Sequence, residues 1–204
     1  MAKLLPPESR AFEFGSGRST HALRRVFPAV VTLEHAAEWL QKTETPAGRE
    51  DHPLQLDRLN RSSLTSEFVA KRPSDETFVA SLVRCWNRLR LIESFALADH
   101  PEILARLNQS RFVLVDSPPN PAKREHALFL AFEHAPIGAV IVLDDLEIRA
   151  TARFAHRLAR QNPSRFRFWR VNIDHQLGVF LKLRAGRLHS RPYLREFVGT
   201  WLRA

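Results

Sequence analysis

The order of short apolar runs and helical patterns along the chain is the feature that most limits its fold. Four runs have the composition of β-strands, and they cover residues 11–15, 29–34, 111–116 and 138–144. The last two, RFVLVD and GAVIVLD, are apolar at almost every position, which is typical of parallel strands buried on both faces. Helical patterns at 19–26, 120–135 and 147–161 follow the first, third and fourth runs. This alternation predicts an α/β fold with a doubly wound, mostly parallel sheet.

Two regions depart from the alternation. Residues 165–173 and 177–183 alternate polar and apolar positions around a tight DHQ turn, which predicts an antiparallel hairpin at the end of the sheet. Residues 43–87 begin with the loop-rich piece TETPAGREDHP, and we interpret them as an insertion that covers the carboxyl edge of the sheet as a lid. A third strand is then expected near 88–93. The whole chain, 1–204, is expected to form one domain that carries this insertion.

The net charge of +9 is concentrated near one end of the chain. Residues 149–204 hold 13 Lys and Arg against 2 Asp and Glu, whereas residues 1–148 hold 18 against 20. Such a basic segment suggests an anionic acceptor or docking partner, with nucleic acid as one class. Arg165, Arg167 and Arg170 alternate with aromatic residues, a pattern that suits an RNA-binding strand but also a half-buried edge strand.

Two observations bear on the compartment. The single cysteine, Cys85, excludes an internal disulfide framework and a cysteine-based zinc site. The sequence shows no signal-peptide pattern and no apolar run near the ~20 residues that a membrane span needs, so a cytoplasmic location and no membrane span are expected. The oligomeric state stays open.

A glycine-containing loop, FEFGSGRST, joins the first strand to the first helix. Gly15 permits a tight strand-to-helix turn, and Gly17 lets a ligand approach the backbone closely. The second strand ends in Glu34, where a carboxylate can accept hydrogen bonds from both hydroxyls of an adenosine ribose. This combination predicts a site for an adenosine-containing cofactor.

Two cofactors fit that pattern, NAD and S-adenosylmethionine. A dinucleotide site usually has a third glycine where this chain has Thr20, and Glu13 would repel a pyrophosphate. Glu13 suits a ligand that carries an amino group and a sulfonium, so the residues favour S-adenosylmethionine over NAD.

The chain resembles class I S-adenosylmethionine-dependent methyltransferases, in particular bacterial families with an LEFGSGxST motif. FEFGSGRST is similar to that motif, RFVLVDSPP to VFVDGPP, and GAVIVLDD to GGVIVLDD, and TLEHAAEWL resembles a VEHDPEW pattern. The likeness covers most of the chain apart from 43–87. It implies a Rossmann-like fold in which a terminal antiparallel hairpin completes the sheet. The chain departs from the pattern at Ala36 and Ala37, which replace Asp-Pro, and at Ser117, which replaces a glycine.

The resemblance also implies a set of cofactor-binding residues. The residues at the methionine end of the cofactor would be Glu13, Gly15, Ser16, Gly17 and Ser19. The ribose would lie against Glu34 and His35, and Asp99 would lie near the adenine. A simple helix N-cap stays open for Ser19, and ordinary surface packing stays open for His35.

Aspartates end the later strands and make the predicted catalytic set. Asp116 ends the third apolar run, and Asp144 and Asp145 end the fourth. Because the carboxyl ends of neighbouring parallel strands meet at one edge, these carboxylates are expected to converge on the acceptor. A Mg²⁺ ion would hold them ionised, and similar positions carry the metal ligands of catechol-type O-methyltransferases. A role in orienting the acceptor without a metal is the alternative.

The predicted function is therefore methyl transfer to an oxygen, or a nitrogen, of a small molecule or sugar. The DSPPN segment resembles the (D/N)PP(Y/F) motif of amino-methyltransferases only in part, because Asn120 stands where the aromatic belongs. An RNA-directed methyltransferase that uses the arginine-rich segment is one alternative. A cofactor-binding partner subunit without catalysis is another.

Overall fold

The computed structural model describes residues 5–34, 37–43, 50–53, 101–117 and 121–186. The strands are β1 (Arg10–Phe14), β2 (Ala29–Glu34), β3 (Glu50–Pro53), β4 (Ser110–Val115), β5 (Val140–Leu143), β6 (Phe166–Asn172) and β7 (Gln176–Lys182). The helices are α1 (Arg18–Val26), α2 (Ala37–Lys42), α3 (Pro101–Gln109), α4 (Pro121–His134) and α5 (Arg149–Gln161). No helix among these residues is both long and apolar enough to cross a membrane.

The described strands form one seven-stranded sheet in the order β3-β2-β1-β4-β5-β7-β6. Neighbours from β3 to β5 pair in parallel, whereas β7 pairs antiparallel with both β5 and β6. The strand order reverses between β1 and β4, where open α/β sheets usually form their ligand crevice. The chain therefore has the predicted Rossmann-like, doubly wound, mostly parallel fold with a terminal antiparallel hairpin.

Alternate residues of the central strands face two separate cores, because successive side chains of a strand point to opposite faces of the sheet. Phe12, Phe14 and Val113 belong to the larger core, which α3, α4 and α5 cover. Ala11 and Leu114 belong to the smaller core, which α1 covers. Burial on both faces explains why the strands read as continuous apolar runs in the sequence.

The terminal hairpin is anchored by a cluster of aromatic rings. Phe180 of β7 is fully buried and contacts Phe132 of α4 and Phe166 of β6, with ring centroids 5.2 and 5.3 Å away. The ring of Phe168 lies 4.6 Å from that of Phe180. This cluster joins the hairpin to the parallel part of the sheet.

The sequence did not predict β3. It pairs with β2, with Val31 opposite Glu50 and Glu34 opposite Pro53. These four residues lie inside the stretch predicted as an insertion, and they show no apolar pattern because β3 lies at the edge of the described sheet. The predicted strand near 88–93 and residues 54–87 of the predicted lid lie outside the described residues.

We expect Phe180→Ala to lower the free energy of unfolding by about 3–5 kcal/mol, because it removes a fully buried ring and leaves a cavity. Ile173→Ala is the matched control, since Ile173 is 71% exposed in the hairpin turn and its truncation should change stability by less than about 0.5 kcal/mol. Urea denaturation of the two variants checks this. Equal stabilities would contradict the packing of the hairpin on α4.

Candidate functional site

The candidate site lies at the carboxyl ends of β1 and β4, where the strand order reverses. The carbonyl oxygen of Phe14 accepts hydrogen bonds from the backbone N–H groups of Asp116 and Ser117, at 3.0 and 2.8 Å. These two bonds hold the loop after β1 against the end of β4. The predicted glycine loop and the predicted Asp116 are therefore brought together at one place.

Gly15 makes the turn that this contact requires. Its φ of +103° lies in the region that residues with a side chain rarely adopt. A Cβ atom at position 15 would lie 2.5 Å from the Cβ of Ser117 and 3.1 Å from its backbone nitrogen. Both the conformation and the close approach demand glycine, as the sequence predicted.

The loop amides are occupied within the protein. The N–H of Gly15 donates to a carbonyl of β2 at 2.7 Å, and that of Gly17 donates to Oγ1 of Thr20 at 2.9 Å. The N–H and hydroxyl of Ser16 both donate to Oε2 of Glu34, at 2.8 and 2.9 Å. All three of these loop amides have acceptors within the protein. The loop therefore does not present them to a phosphate group.

Glu34 lies where the sequence placed it, at the end of β2, and it is 3% exposed. Its Oε2 atom ties the second strand to the glycine loop through Ser16. The contact between Glu34 and a ribose stays a prediction. His35 and Asp99, the other two residues assigned to the adenosine, lie outside the described residues.

Glu13 is fully buried beneath the loop. Its Oε2 atom accepts hydrogen bonds from the hydroxyls of Thr20 and Thr32, at 2.7 and 3.2 Å. Its Oε1 atom is buried and has no hydrogen-bond partner among the described residues. Burial raises the pKa of Glu13 to about 7, although the hydroxyls of Thr20 and Thr32 oppose the rise.

Two further loop positions differ in their surroundings. Gly17 precedes α1 as its N-cap, and a Cβ atom there would meet nothing within 4 Å among the described residues. The helix begins at Arg18, so Ser19 lies inside the first turn and is not the N-cap. The Ser19 hydroxyl is buried without a hydrogen-bond partner in the described part of the chain.

Arg124, near the start of α4, lies among the predicted catalytic aspartates. Its guanidinium donates to Oδ2 of Asp145 at 2.5 Å, to the carbonyl of Asp116 at 2.6 Å and to the carbonyl of Asp144 at 3.3 Å. Oδ1 of Asp116 lies 3.8 Å from the same group. The Arg124 side chain is 4% exposed, so the cation is buried at the edge that the carboxylates share.

Asp144 and Asp145 also stabilise their own turn. Asp145 has a φ of 57°, which is uncommon for a residue with a side chain. Its backbone N–H donates to Oδ1 of Asp144 at 2.8 Å. Sequence reasoning placed both residues at the strand end correctly but missed Arg124. The available signal was physical, because converging carboxylates need a buried countercharge.

The described residues do not fit the predicted magnesium site at Asp116, Asp144 and Asp145. No three His, Cys, Asp or Glu side chains in the described ranges are placed to hold a metal ion. The guanidinium of Arg124 supplies the positive charge that the ion was expected to supply, and it binds the oxygens of all three residues.

Asp116 keeps a carboxylate that titrates close to neutrality. Burial raises its pKa to about 6, and the charge of Asp144 adds to the rise while Arg124 opposes it. Glu34 and Asp116 repel each other, as do Asp116 and Glu13. The edge of the sheet around the glycine loop is therefore an anionic environment.

His175 lies in the terminal hairpin turn, next to the segment that precedes α5. Its Nδ1 atom lies 3.4 Å from Oε1 of Glu147, and this contact raises the pKa of His175. The pair is exposed to solvent. The contact links the hairpin turn to the segment before α5.

Comparison with known proteins finds no family model and no curated protein that matches this sequence. Among solved structures, human methyltransferase-like protein 13 in complex with SAH is 15% identical, and the match covers 99% of this chain and 86% of that one with a TM-score of 0.45. The MycE methyltransferase of the mycinamycin pathway, in complex with Mg, SAH and mycinamycin VI, is 10% identical over 91% and 48% of the two chains, with a TM-score of 0.48. A candidate O-methyltransferase from Klebsiella pneumoniae is 15% identical over 86% and 74%, with a TM-score of 0.44. At these identities the likeness is one of fold alone.

We expect Gly15→Ala to lower the free energy of unfolding by at least about 1–3 kcal/mol, because it adds both a strained φ and a clash with Ser117. Gly17→Ala is the matched control, since its Cβ would enter open space. The double change Gly15→Ala with Ser117→Gly should recover part of the loss, because it removes the closest clashing atom. Thermal denaturation measures all three variants, and a stable Gly15→Ala protein would contradict this loop geometry.

The raised pKa of Glu13 makes stability depend on pH. The folded protein binds the proton more tightly than the unfolded chain, so the free energy of unfolding falls as pH rises from about 4.5 to about 7, by about 3 kcal/mol from this group. Glu13→Gln should remove that component and leave the variant more stable than the parent at pH 8. Glu8→Gln, at an exposed position, is the control. Urea titrations at several pH values check it, and identical pH profiles for parent and Glu13→Gln would contradict the burial of an ionisable group.

Proposed function

We propose that this chain is an S-adenosylmethionine-dependent methyltransferase that acts on an oxygen, or a nitrogen, of a small molecule or sugar. The observation that carries the proposal is the cluster of acids at the carboxyl edge where the strand order reverses. Glu13, Glu34 and Asp116 lie there around a tight glycine turn, and two of them have raised pKa values. Such a site favours a cationic ligand.

The loop residues fit this cofactor. The partnerless Oε1 of Glu13 is a buried acceptor that the amino group of the cofactor would satisfy. Gly17 leaves the space in which a ligand can lie against the backbone. Glu34, at the end of β2, would take the ribose, and Ser16 holds its carboxylate in place. Ser19, whose hydroxyl is buried, would lie with Glu13 at the methionine end of the cofactor.

A dinucleotide fits less well. A pyrophosphate bound at this loop would need free backbone amides, and the amides of Gly15, Ser16 and Gly17 already donate to protein acceptors. The phosphates would also approach Glu13 and Glu34, and like charges repel. NAD is therefore the weaker candidate.

The aspartates divide into two roles in this proposal. The bound cofactor would supply a methyl group on its sulfonium sulfur. The acceptor atom must lie in line with the bond between that sulfur and the methyl carbon. Asp116 is the candidate general base, because a carboxylate with a pKa of about 6 is ionised at pH 7.5 and can take the proton that the acceptor loses. Asp144 and Asp145 position the edge through the turn and through Arg124.

We expect isothermal titration calorimetry to show binding of S-adenosylmethionine and little or no binding of NAD. Because Glu13 must be ionised to pair with a cationic amino group, the affinity should rise about tenfold between pH 6 and pH 8. Glu13→Gln should abolish that pH dependence, and Glu34→Gln should weaken binding at both pH values. Glu8→Gln is the control. Preferred binding of NAD, or no binding of S-adenosylmethionine, would overturn the proposal.

Turnover separates the enzyme from a cofactor-binding partner subunit. Asp116→Asn should retain cofactor affinity but lose methyl transfer in an assay that follows release of S-adenosylhomocysteine across a panel of hydroxyl and amine acceptors. Addition of EDTA should leave the rate unchanged, because Arg124 supplies the charge at this edge. Binding without turnover on any acceptor, alone or with a partner protein, would favour the partner-subunit alternative.

A further inference from the structure

A concave surface lies on the flank of the sheet, between α5 and β6 and apart from the candidate site. It encloses about 430 Å³ and is lined by basic and small side chains: Arg149, Ala152, Arg153, His156, Arg157, Arg160 and Arg170. No acidic residue lines it in the described part of the chain. The candidate active site does not use this surface, which we call the arginine groove.

The charges of the groove come mainly from one helix. α5 carries four arginines and no acidic residue over its 13 residues. Arg149, Arg153 and Arg160 are exposed, and the ion pairs between described residues involve none of them. Like charges spaced along one helix face repel one another, so an anion that neutralises them would be bound favourably.

Neighbouring contacts hold parts of the groove in place. The guanidinium of Arg157 lies over the ring of Phe154, with 5.5 Å between the carbon of the guanidinium and the ring centroid. The ring of His156 packs edge-on against Phe168 at 5.2 Å. Arg170, from β6, donates to the side chain of Gln176. The wall formed by the helix and the strand is therefore built on packed aromatic residues and not on loops.

The shape of the row points to an extended ligand. Arg149 and Arg160 are 11 positions apart, which is about 16 Å along a helix. A single phosphate or carboxylate would reach only one or two of the three exposed guanidinium groups, those of Arg149, Arg153 and Arg160. Guanidinium groups form bidentate hydrogen bonds with phosphate oxygens, so a chain of phosphates matches the row in both charge and spacing.

We propose that the arginine groove binds the phosphate backbone of a single-stranded nucleic acid. The arginines line a concavity, and a flexible single strand can follow it more closely than a rigid duplex can. α5 begins four residues after Asp145, so the Arg149 end of the groove lies toward the carboxyl edge of the sheet. A strand in the groove would lead toward the candidate active site. The proposal stands without the methyltransferase assignment.

Fluorescence anisotropy with labelled 20-nucleotide oligouridylate and oligothymidylate tests it on the full chain without added cofactor. For three or four phosphate contacts, the affinity should fall by about 20- to 50-fold between 50 and 200 mM NaCl, since the logarithmic salt slope is about −0.7 per phosphate on a single strand. The double change Arg153→Gln with Arg160→Gln should reduce the magnitude of the slope by about 1.4.

The matched control is Arg25→Gln with Arg111→Gln, which removes the same charge from exposed positions outside the groove. This pair should leave the slope nearly unchanged. Equal weakening by both pairs would mean that net charge alone attracts the oligonucleotide, and it would overturn the proposal. Thermal denaturation confirms that all variants fold, as expected for exposed arginines.

Three further outcomes would also overturn it. These are the absence of salt-dependent binding, displacement of the oligonucleotide by one equivalent of tripolyphosphate, and binding to vesicles rich in phosphatidylserine but to neither oligonucleotide. Calorimetry with S-adenosylmethionine on the same groove variants keeps the two proposals distinguishable. Loss of oligonucleotide binding with unchanged cofactor affinity would support the groove irrespective of the chemistry at the other site.

Discussion

The buried guanidinium of Arg124 is the interaction on which the carboxyl edge of this sheet depends. It binds backbone or side-chain oxygens of residues at the ends of β4 and β5 from a position on α4. Without a cation there, the neighbouring carboxylates of Asp116, Asp144 and Asp145 would repel one another. Burial and the charge of Asp144 still raise the pKa of Asp116 to about 6, because Arg124 offsets these two effects only in part.

The negative charge of Glu13, beneath the glycine loop, is less well compensated. Glu13 is buried under the loop with hydroxyl partners and no cation among the described residues, which is why its pKa is raised to about 7. Burial of such groups costs stability in the free protein. A cationic ligand would recover part of that cost, so the same arrangement that weakens the empty fold favours binding. This coupling between stability and binding is the physical basis of the proposed cofactor site.

Much of the fold was predictable, because the informative strands are central and apolar. β2, β4 and β5 are buried on both faces, and such strands differ clearly from loops in composition. The hairpin was predictable from its alternation, and Gly15 from the sharp turn that follows β1. The strand β3 was not predicted, because Glu50–Pro53 has a polar sequence and only its pairing with β2 makes it a strand. The position of the candidate site was predictable, but its hydrogen bonds and ion pairs were not. Arg124 in the first turn of a helix has the same local pattern as an arginine exposed to solvent.

The sequence by itself determined the class of the fold, the sharp turn at Gly15 and the presence of acids at the ends of the central strands. These follow from local physics, since residue size, side-chain polarity and backbone freedom act within a few positions of the chain. Only the tertiary structure decided which groups partner the carboxylates. Ser16 donates to Glu34, Thr20 and Thr32 donate to Glu13, and Arg124 binds the strand-end aspartates. Hydrogen bonds and ion pairs act over a few ångströms in space, and the distance between two residues along the chain does not reveal them.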